Sequence, residues 1–347
     1  MAKSTINLSN ARNAKNDEFY TSLADIEKEL KWYKDFFKGK TVFCNCDDPL
    51  ESNFTKYFIL NFRHLGLKKL ICTFYDINGG SAFAFTYEGQ DMNGDDVINT
   101  EDIEIIRQTG AYRTILVDDE GFNRDDKENC WKNGIYGSGD FRSKNVIDYL
   151  KQADIVVTNP PFSLFREYIA QLMEYNKKFI VIGNMNAITY KEIFPYIKNN
   201  QLWLGVNSNK TMEFSMPMSY AKWDRIEKGR KYGKVPAISW FTNVENKNRN
   251  EFLQLYKKYD PIKYPKYDNY NAINVNKVCE IPCDYNGVMG VPISFLDKYC
   301  PNQFEILGIT ENADYLKPFY IDGCEKYDRP YINGERMYSR LLIKRVY

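Results

Sequence analysis

Asp154-Ile155-Val156-Val157-Thr158-Asn159-Pro160-Pro161-Phe162 is the stretch that decides the fold. Its first part is a short apolar, β-branched run, the pattern of a strand buried on both faces. The run stops at Asn159-Pro160-Pro161, and a helical pattern follows over residues 163–175, with Ile169, Leu172 and Met173 on its apolar face. Neither proline donates a backbone hydrogen bond, and each restricts the residue before it, so the corner is rigid. Its carbonyls and the Asn159 side-chain oxygen are left to face a ligand, and Phe162 adds a flat apolar face. Two acceptors and one ring suit a planar group with an exocyclic NH2, such as adenine. A bare Asn-Pro-Pro turn is as often a structural loop, so the strand before it and the helix after it carry much of the weight.

The same alternation extends outward. Ile26, Leu30, Tyr33 and Phe37 recur at helical spacing, and Gly39 ends that pattern. Thr41-Val42-Phe43-Cys44-Asn45-Cys46 reads as a buried strand, residues 53–62 as a helix and 69–75 as the next strand. A helix over 144–152, a strand over 178–183, a helix near 189–198 and a strand over 202–206 complete the series. This order predicts an α/β fold, a mostly parallel sheet covered by helices. Residues 78–133 break the rhythm and read as an antiparallel excursion projecting from the sheet. Asp91, Asn93, Asp95 and Asp102 within it resemble a calcium loop only faintly, because Asp96 stands where an EF-hand needs glycine. A solvated acidic turn is the better reading.

Composition excludes several function classes. The net charge of +1 gives no global field for nucleic acid, so such binding must use local basic patches. The single histidine, His64, reads as a position near a helix end and argues against a Ser-His-Asp triad, and against a multi-histidine metal site. The eight cysteines read as reduced; Cys279 and Cys283 have no second matching pair for zinc, and no metal is expected. Without a signal pattern or a long apolar span, the expected location is the cytoplasm. The 27 tyrosines and 22 phenylalanines supply stacking faces. Residues 1–16 read as a flexible arm, 207–234 as a basic loop before a strand over 235–244, and the composition shifts near Asn246 to a region rich in Tyr, Asn, Lys and Pro.

The motifs follow a telling order: Asp17-Glu18-Phe19-Tyr20-Thr21, then Cys44-Asn45-Cys46-Asp47-Asp48-Pro49, then Gly139-Asp140-Phe141-Arg142-Ser143, then Asn159-Pro160-Pro161-Phe162. The series resembles the adenine-specific DNA methyltransferases of the EcoRI type. Tyr264-Pro265-Lys266-Tyr267-Asp268-Asn269-Tyr270 and Asp284-Tyr285-Asn286-Gly287-Val288-Met289-Gly290-Val291-Pro292 are similar to that family too. The likeness runs from about Asp17 to the C-terminus and is weakest over residues 90–128.

The resemblance implies a Rossmann-like methyltransferase domain over 17–245, a target-recognition region over 246–347, and S-adenosyl-L-methionine as cofactor. It implies duplex DNA as substrate, with GAATTC a candidate target, a monomer on DNA, and a cognate restriction endonuclease sharing the site. Phe19, Tyr20 and Thr21 would line the methionine end of the cofactor. Asn45, Asp47 and Asp48 would meet its amino-acid moiety or ribose, although most methyltransferases place glycines in this loop and Cys46-Asp47-Asp48-Pro49 has none. Asp140 would accept from the cofactor adenine amine, with Phe141 packing on that ring. Asp76 would hold the ribose, or is a simple turn residue.

Asn159 and the Pro160 carbonyl would accept the two N6 hydrogens of a flipped adenine beside Pro161, with Phe162 stacking on it and Trp240 or Phe241 supplying a second face. Lys210, Lys222, Arg225, Arg230 and Lys231 would grip DNA, with Lys266 and Asn269 in the C-terminal region. A methyltransferase acting on another planar amine (an RNA base or a protein glutamine) and a non-catalytic DNA-binding module on a degenerate fold stand as alternatives.

Overall fold

The computed structural model describes residues 20–46, 48–75, 82–208, 210–216, 218, 223–227, 229–310, 315–323 and 329–346. Two compact units share the chain. The first runs to Met185 and includes Lys210–Val244; the second comprises Asn186–Asn209 and Glu245–Tyr347. The long segment of the second unit starts where the composition shifts. Asn186–Asn209, read from sequence as part of the sheet domain, belongs with it. Asn246 Nδ2 donates to the Leu204 carbonyl at 3.1 Å, and the Arg249 guanidinium lies 3.9 Å from the centre of the Trp203 ring, which ties that segment in.

In the first unit the strands are β1 (Tyr20–Thr21), β2 (Thr41–Cys44), β3 (Lys69–Thr73), β4 (Phe83–Tyr87), β5 (Arg113–Ile115), β6 (Ile155–Thr158), β7 (Lys178–Asn184), β8 (Lys210–Met216), β9 (Arg225–Glu227) and β10 (Arg230–Thr242). Their order is β1-β8-β10-β7-β6-β2-β3-β4-β5, with β9 beside β10. The β7-β6-β2-β3 centre is parallel and both flanks are antiparallel, so the sheet is mixed. Every residue of β2 and β6 is buried, as parallel strands covered on both faces require. The chain leaves β2 toward β3 on one side and later β6 toward β7 on the other. The strand order therefore switches between β2 and β6, where open α/β sheets bind ligands beyond the strand carboxyl ends.

The helices that cover this centre are α1 (Leu23–Leu30), α2 (Asn53–Leu60), α3 (Thr100–Thr109), α4 (Lys144–Gln152) and α5 (Phe165–Glu174). Ser22 caps α1 by accepting from Asp25 N, and a 3-10 segment, Lys31–Phe37, continues it. Ile26, Leu30, Tyr33 and Phe37 are all buried, as their spacing predicts.

Two segments differ from their sequence reading. The excursion does not project: β4 pairs with β3 and β5 with β4, which widens the sheet. Its acidic turn is held by backbone amides, with Asp91 accepting from Asn93, Gly94 and Asp96, and buried Asp102 accepting from Met92 and Asn99. The described residues of the basic stretch are also largely strand rather than loop; β10 starts at Arg230 and its register with β8 shifts between Val235 and Ile238. Pro236 has no N–H to give the ladder, and Ala237 takes a left-handed φ of 56° at that irregularity. Among the described residues, no helix is long and apolar enough to cross a membrane, and no acidic, histidine or cysteine cluster could hold a metal.

Candidate active site

Asn45 directly follows β2 and Asn159 directly follows β6, one on each side of the switch point; both are buried. Tyr168, from α5, donates its hydroxyl to Asn45 Oδ1, and Cys46 Sγ lies 3.6 Å from the same oxygen. Burial holds the Tyr168 hydroxyl well above the ordinary tyrosine pKa, with Cys46 adding to the effect, so it stays a donor. These donors fix the Asn45 amide, whose Nδ2 has no hydrogen-bond partner among the described residues. The same holds for Thr73 Oγ1 at the end of β3 and Thr158 Oγ1 at the end of β6. A buried polar atom without a partner costs about 1–3 kcal/mol. Such atoms at the ends of adjacent parallel strands fit a polar ligand rich in hydroxyl and carboxylate groups, as S-adenosylmethionine is.

In the loop after β2, aspartate and serine side chains and the Asp48 carbonyl hold the described residues in place. Asp48 Oδ1 accepts from Leu50 N at 2.9 Å, and the Asp48 carbonyl accepts from Glu51 N and Ser52 N at 3.0 and 2.7 Å. Ser52 then caps α2. None of the described residues of this turn is left-handed. Burial raises the Asp48 pKa, more than its bond to Leu50 lowers it. Thr21 is buried, and its carbonyl accepts from Asn53 Nδ2 at 2.7 Å, which brings β1 to the start of α2. Tyr20 lies under Arg230, whose guanidinium carbon is 5.4 Å from the ring centre.

Gly139 does need to be glycine. Its φ is +81°, and a Cβ there would lie 1.9 Å from the Phe74 carbonyl oxygen, just past β3. Asp140 is buried and accepts from Arg142 N at 2.9 Å, Nε at 3.0 Å and Nη2 at 2.9 Å. Arg142 also pairs with Glu167 at 2.8 Å and stacks over Tyr136, 4.5 Å from the ring centre. Burial works against the charge of Arg142, but Asp140 and Glu167 more than offset it, so its pKa is raised. A carboxylate has about four acceptor positions, so Asp140 keeps one beyond these bonds. Phe141 is buried edge-on against Tyr168, with ring centres 5.1 Å apart, and its carbonyl accepts from Gln171 Nε2 at 3.1 Å.

In the central motif, Asn159 and Pro160 are buried, while Pro161 and Phe162 are half-buried. Leu164 N donates to the Pro161 carbonyl at 3.0 Å, starting the 3-10 turn that leads into α5. Phe162 packs against the core of the first unit and keeps part of its surface exposed. Trp240 and Phe241 do not offer the expected second face. Both are fully buried, Trp240 edge-on to Phe54 and Phe241 against Phe165, because both faces of their strand are covered at this point.

The basic residues divide. Lys210 is exposed. Arg225 pairs with Glu213 and Glu227 at 2.7 and 2.5 Å, and Arg230 pairs with Glu51, so their charges are already compensated. Lys231 donates to the Met218 carbonyl. In the second unit, Lys266 is exposed. Asn269, expected to contact DNA, is instead a buried strut: its Nδ2 donates to the Arg329 carbonyl at 2.8 Å, and its Oδ1 accepts from Tyr331 N at 3.0 Å. Phe19, Asp47, Asp76 and Lys222 lie outside the described residues. Sequence reasoning missed Tyr168, Arg142, Thr73 and Thr158. Thr158, closing a predicted strand, was a usable signal; Thr73 fell inside a strand read as running to residue 75, and nothing local marked Tyr168.

The chain matches the family described as "Adenine-specific methyltransferase EcoRI" over residues 7–346. It is 43% identical to the Escherichia coli protein "Type II methyltransferase M.EcoRI", covering 97% of this chain and 99% of that one. It is 38% identical to "Type II methyltransferase M.MgeORF184P" of Mycoplasma genitalium, over 96% of this chain and 97% of the relative. Identity to "Type II methyltransferase M.MpnI" of Mycoplasma pneumoniae is 36%, over 96% of each chain. No solved structure matches. An Asn-Pro-Pro-Phe corner at the switch point of an α/β sheet and likeness along nearly the whole sequence lead to one conclusion: the chain belongs to the EcoRI-type family of adenine-specific methyltransferases.

Proposed function

We propose that this enzyme methylates the N6 of an adenine in duplex DNA, at one short sequence, with S-adenosylmethionine as donor, as the modification half of a restriction-modification system. The observation that carries the reading is Asn159 closing β6 across the switch point from Asn45. A stacked, paired adenine cannot reach such a corner, so the base is flipped out at a cost of a few kcal/mol. Asn159 Oδ1 and the Pro160 carbonyl accept the two N6 hydrogens and draw the nitrogen toward a form with a usable lone pair. Phe162 stacks on the ring and sets its plane. Asn45 Nδ2, Asp48, Asp140 and the threonines at the strand ends hold the cofactor, with Tyr20 and Thr21 beside its methionine end. The cofactor, when bound, supplies an electrophilic methyl on sulfonium. Positioning and electrostatics carry the catalysis, and no histidine base is needed.

The test is modification mapping of plasmid DNA incubated with the pure protein and S-adenosylmethionine. N6-methyladenine confined to one short motif supports the reading. An unmodified plasmid with cofactor binding intact would redirect it to an RNA or protein amine. Asn159→Ala is expected to abolish turnover and leave cofactor and DNA binding largely intact; near-normal turnover would remove its role as amine acceptor.

A further inference from the structure

The second unit carries a groove of roughly 710 Å³ lined by, among others, Asn186, Asn276, Arg329, Tyr338 and Arg340. Among the described residues no carboxylate lines it. Arg340 opens the strand Arg340–Arg345 and is only 7% exposed. Its Nε donates to Asn274 Oδ1 at 3.3 Å, and its Nη1 donates to the carbonyls of Tyr338 and Ser339 at 3.4 and 3.3 Å. No carboxylate among the described residues lies within ion-pair distance of it. A buried guanidinium with no counter-charge among the described residues is costly to keep, so its retention at a groove wall points to a ligand.

The same network reaches the rim. Asn274 is anchored by the Tyr267 hydroxyl at 2.8 Å and donates its Nδ2 to Asn276 Oδ1 at 2.9 Å. Asn276 and Tyr338 are exposed, Tyr338 to 78%. A residue that grips phosphate can be a long, mobile surface cation. Arg340 is the opposite: three bonds hold its Nε and Nη1, which leaves the two Nη2 hydrogens, fixed in place, to meet a pair of acceptors. In the major groove that pair is guanine O6 and N7, and an amide such as Asn276 matches adenine N6 and N7.

We propose that this groove reads bases of the target sequence, with Arg340 taking the major-groove edge of a guanine and Asn276 that of a neighbouring base. The inference rests on the DNA-methylating function proposed above. The experiment compares wild type, Arg340→Lys and Asn276→Ala on a pool of duplexes randomised around the target, reading methylated adenines with their flanking bases at several salt concentrations. Each variant is expected to relax selectivity at one base position by about 5- to 150-fold, the size of one bidentate base contact, while the salt dependence holds. Unchanged base preferences in both variants overturn the inference. So does a uniform loss across all sequences with a salt slope shallower by about 1, which marks phosphate contacts. Asn276 is exposed, so its variant keeps the test decisive if Arg340→Lys folds poorly. A wild-type protein that methylates no duplex overturns the proposed function itself, and this inference with it.

Discussion

Tyr168, in α5, donates its hydroxyl to Asn45 Oδ1 at the end of β2, which joins the helix after the Asn-Pro-Pro corner to the other side of the switch point. Tyr168→Phe removes the donor that orients the Asn45 amide. We expect about a tenfold weaker S-adenosylmethionine affinity and a stability loss of about 1–3 kcal/mol, from leaving a buried acceptor short of a partner. The maximal rate at saturating cofactor should change little. Calorimetry and steady-state kinetics read the two effects, and unchanged affinity would detach Asn45 from the cofactor.

Arg142 grips Asp140 through both Nε and Nη2, so it should act as a positioning residue. Arg142→Lys keeps the charge but loses the planar fork. The expected outcome is an apparent KM for the cofactor raised about tenfold with kcat nearly unchanged. A purely structural role would instead lower the melting temperature and leave KM alone.

Gly139→Ala is expected to be severe. The added Cβ meets the Phe74 carbonyl oxygen, and the left-handed φ alone costs about 1–2 kcal/mol for alanine. Denaturant unfolding should show a loss of at least that size, together with weaker cofactor binding because Asp140 moves with the loop. A variant as stable as wild type would mean the loop relaxes freely.

Alkaline pH should unfold the protein cooperatively. Burial raises the pKa of Tyr57 to about 12, those of Tyr87 and Tyr267 further, and that of Tyr168 well above the ordinary tyrosine value. The unfolded chain ionises these groups near pH 10, while the folded chain holds their protons. Between those limits the folded state binds more protons, so stability is full below about pH 10 and falls as pH rises. Chemical denaturation across pH 8 to about pH 11 measures the slope; a flat profile would contradict the burial of these hydroxyls.

Salt dependence should separate the basic residues. Lys210→Ala is expected to lower the slope of log affinity for DNA against log salt by about 1, the signature of one lost phosphate contact. Arg225→Ala should leave it nearly unchanged, since Glu213 and Glu227 already balance that charge. Equal effects from the two variants would show that DNA displaces the carboxylates.

Local pattern made much of this fold legible. The apolar runs that became β2, β3, β6 and β7 bury both faces, so their hydrophobicity is continuous and readable. The helix over Lys144–Gln152 follows from a regular apolar spacing. The basic stretch misled because charged and polar residues interrupt its apolar ones: in β8 the buried Met212 and Phe214 flank Glu213, β9 is exposed throughout, and the first residues of β10 are only half-buried, so the period-2 signal is weak. Asn269 misled because a polar residue can serve a ligand or a buried backbone carbonyl, and composition does not distinguish the two.

The sequence by itself determined the parallel centre of the sheet, the rigid corner at Asn159-Pro160-Pro161 and the family, because each is written in contiguous residues. Only the tertiary structure decided that Tyr168 orients Asn45, that Thr73 and Thr158 stand beside it at neighbouring strand ends, that Arg225 and Arg230 are already paired, and that Arg340 is buried with no carboxylate beside it among the described residues. These are relations between residues far apart in the chain. Hydrogen bonding and charge compensation act through space, so they are set by strand order and register.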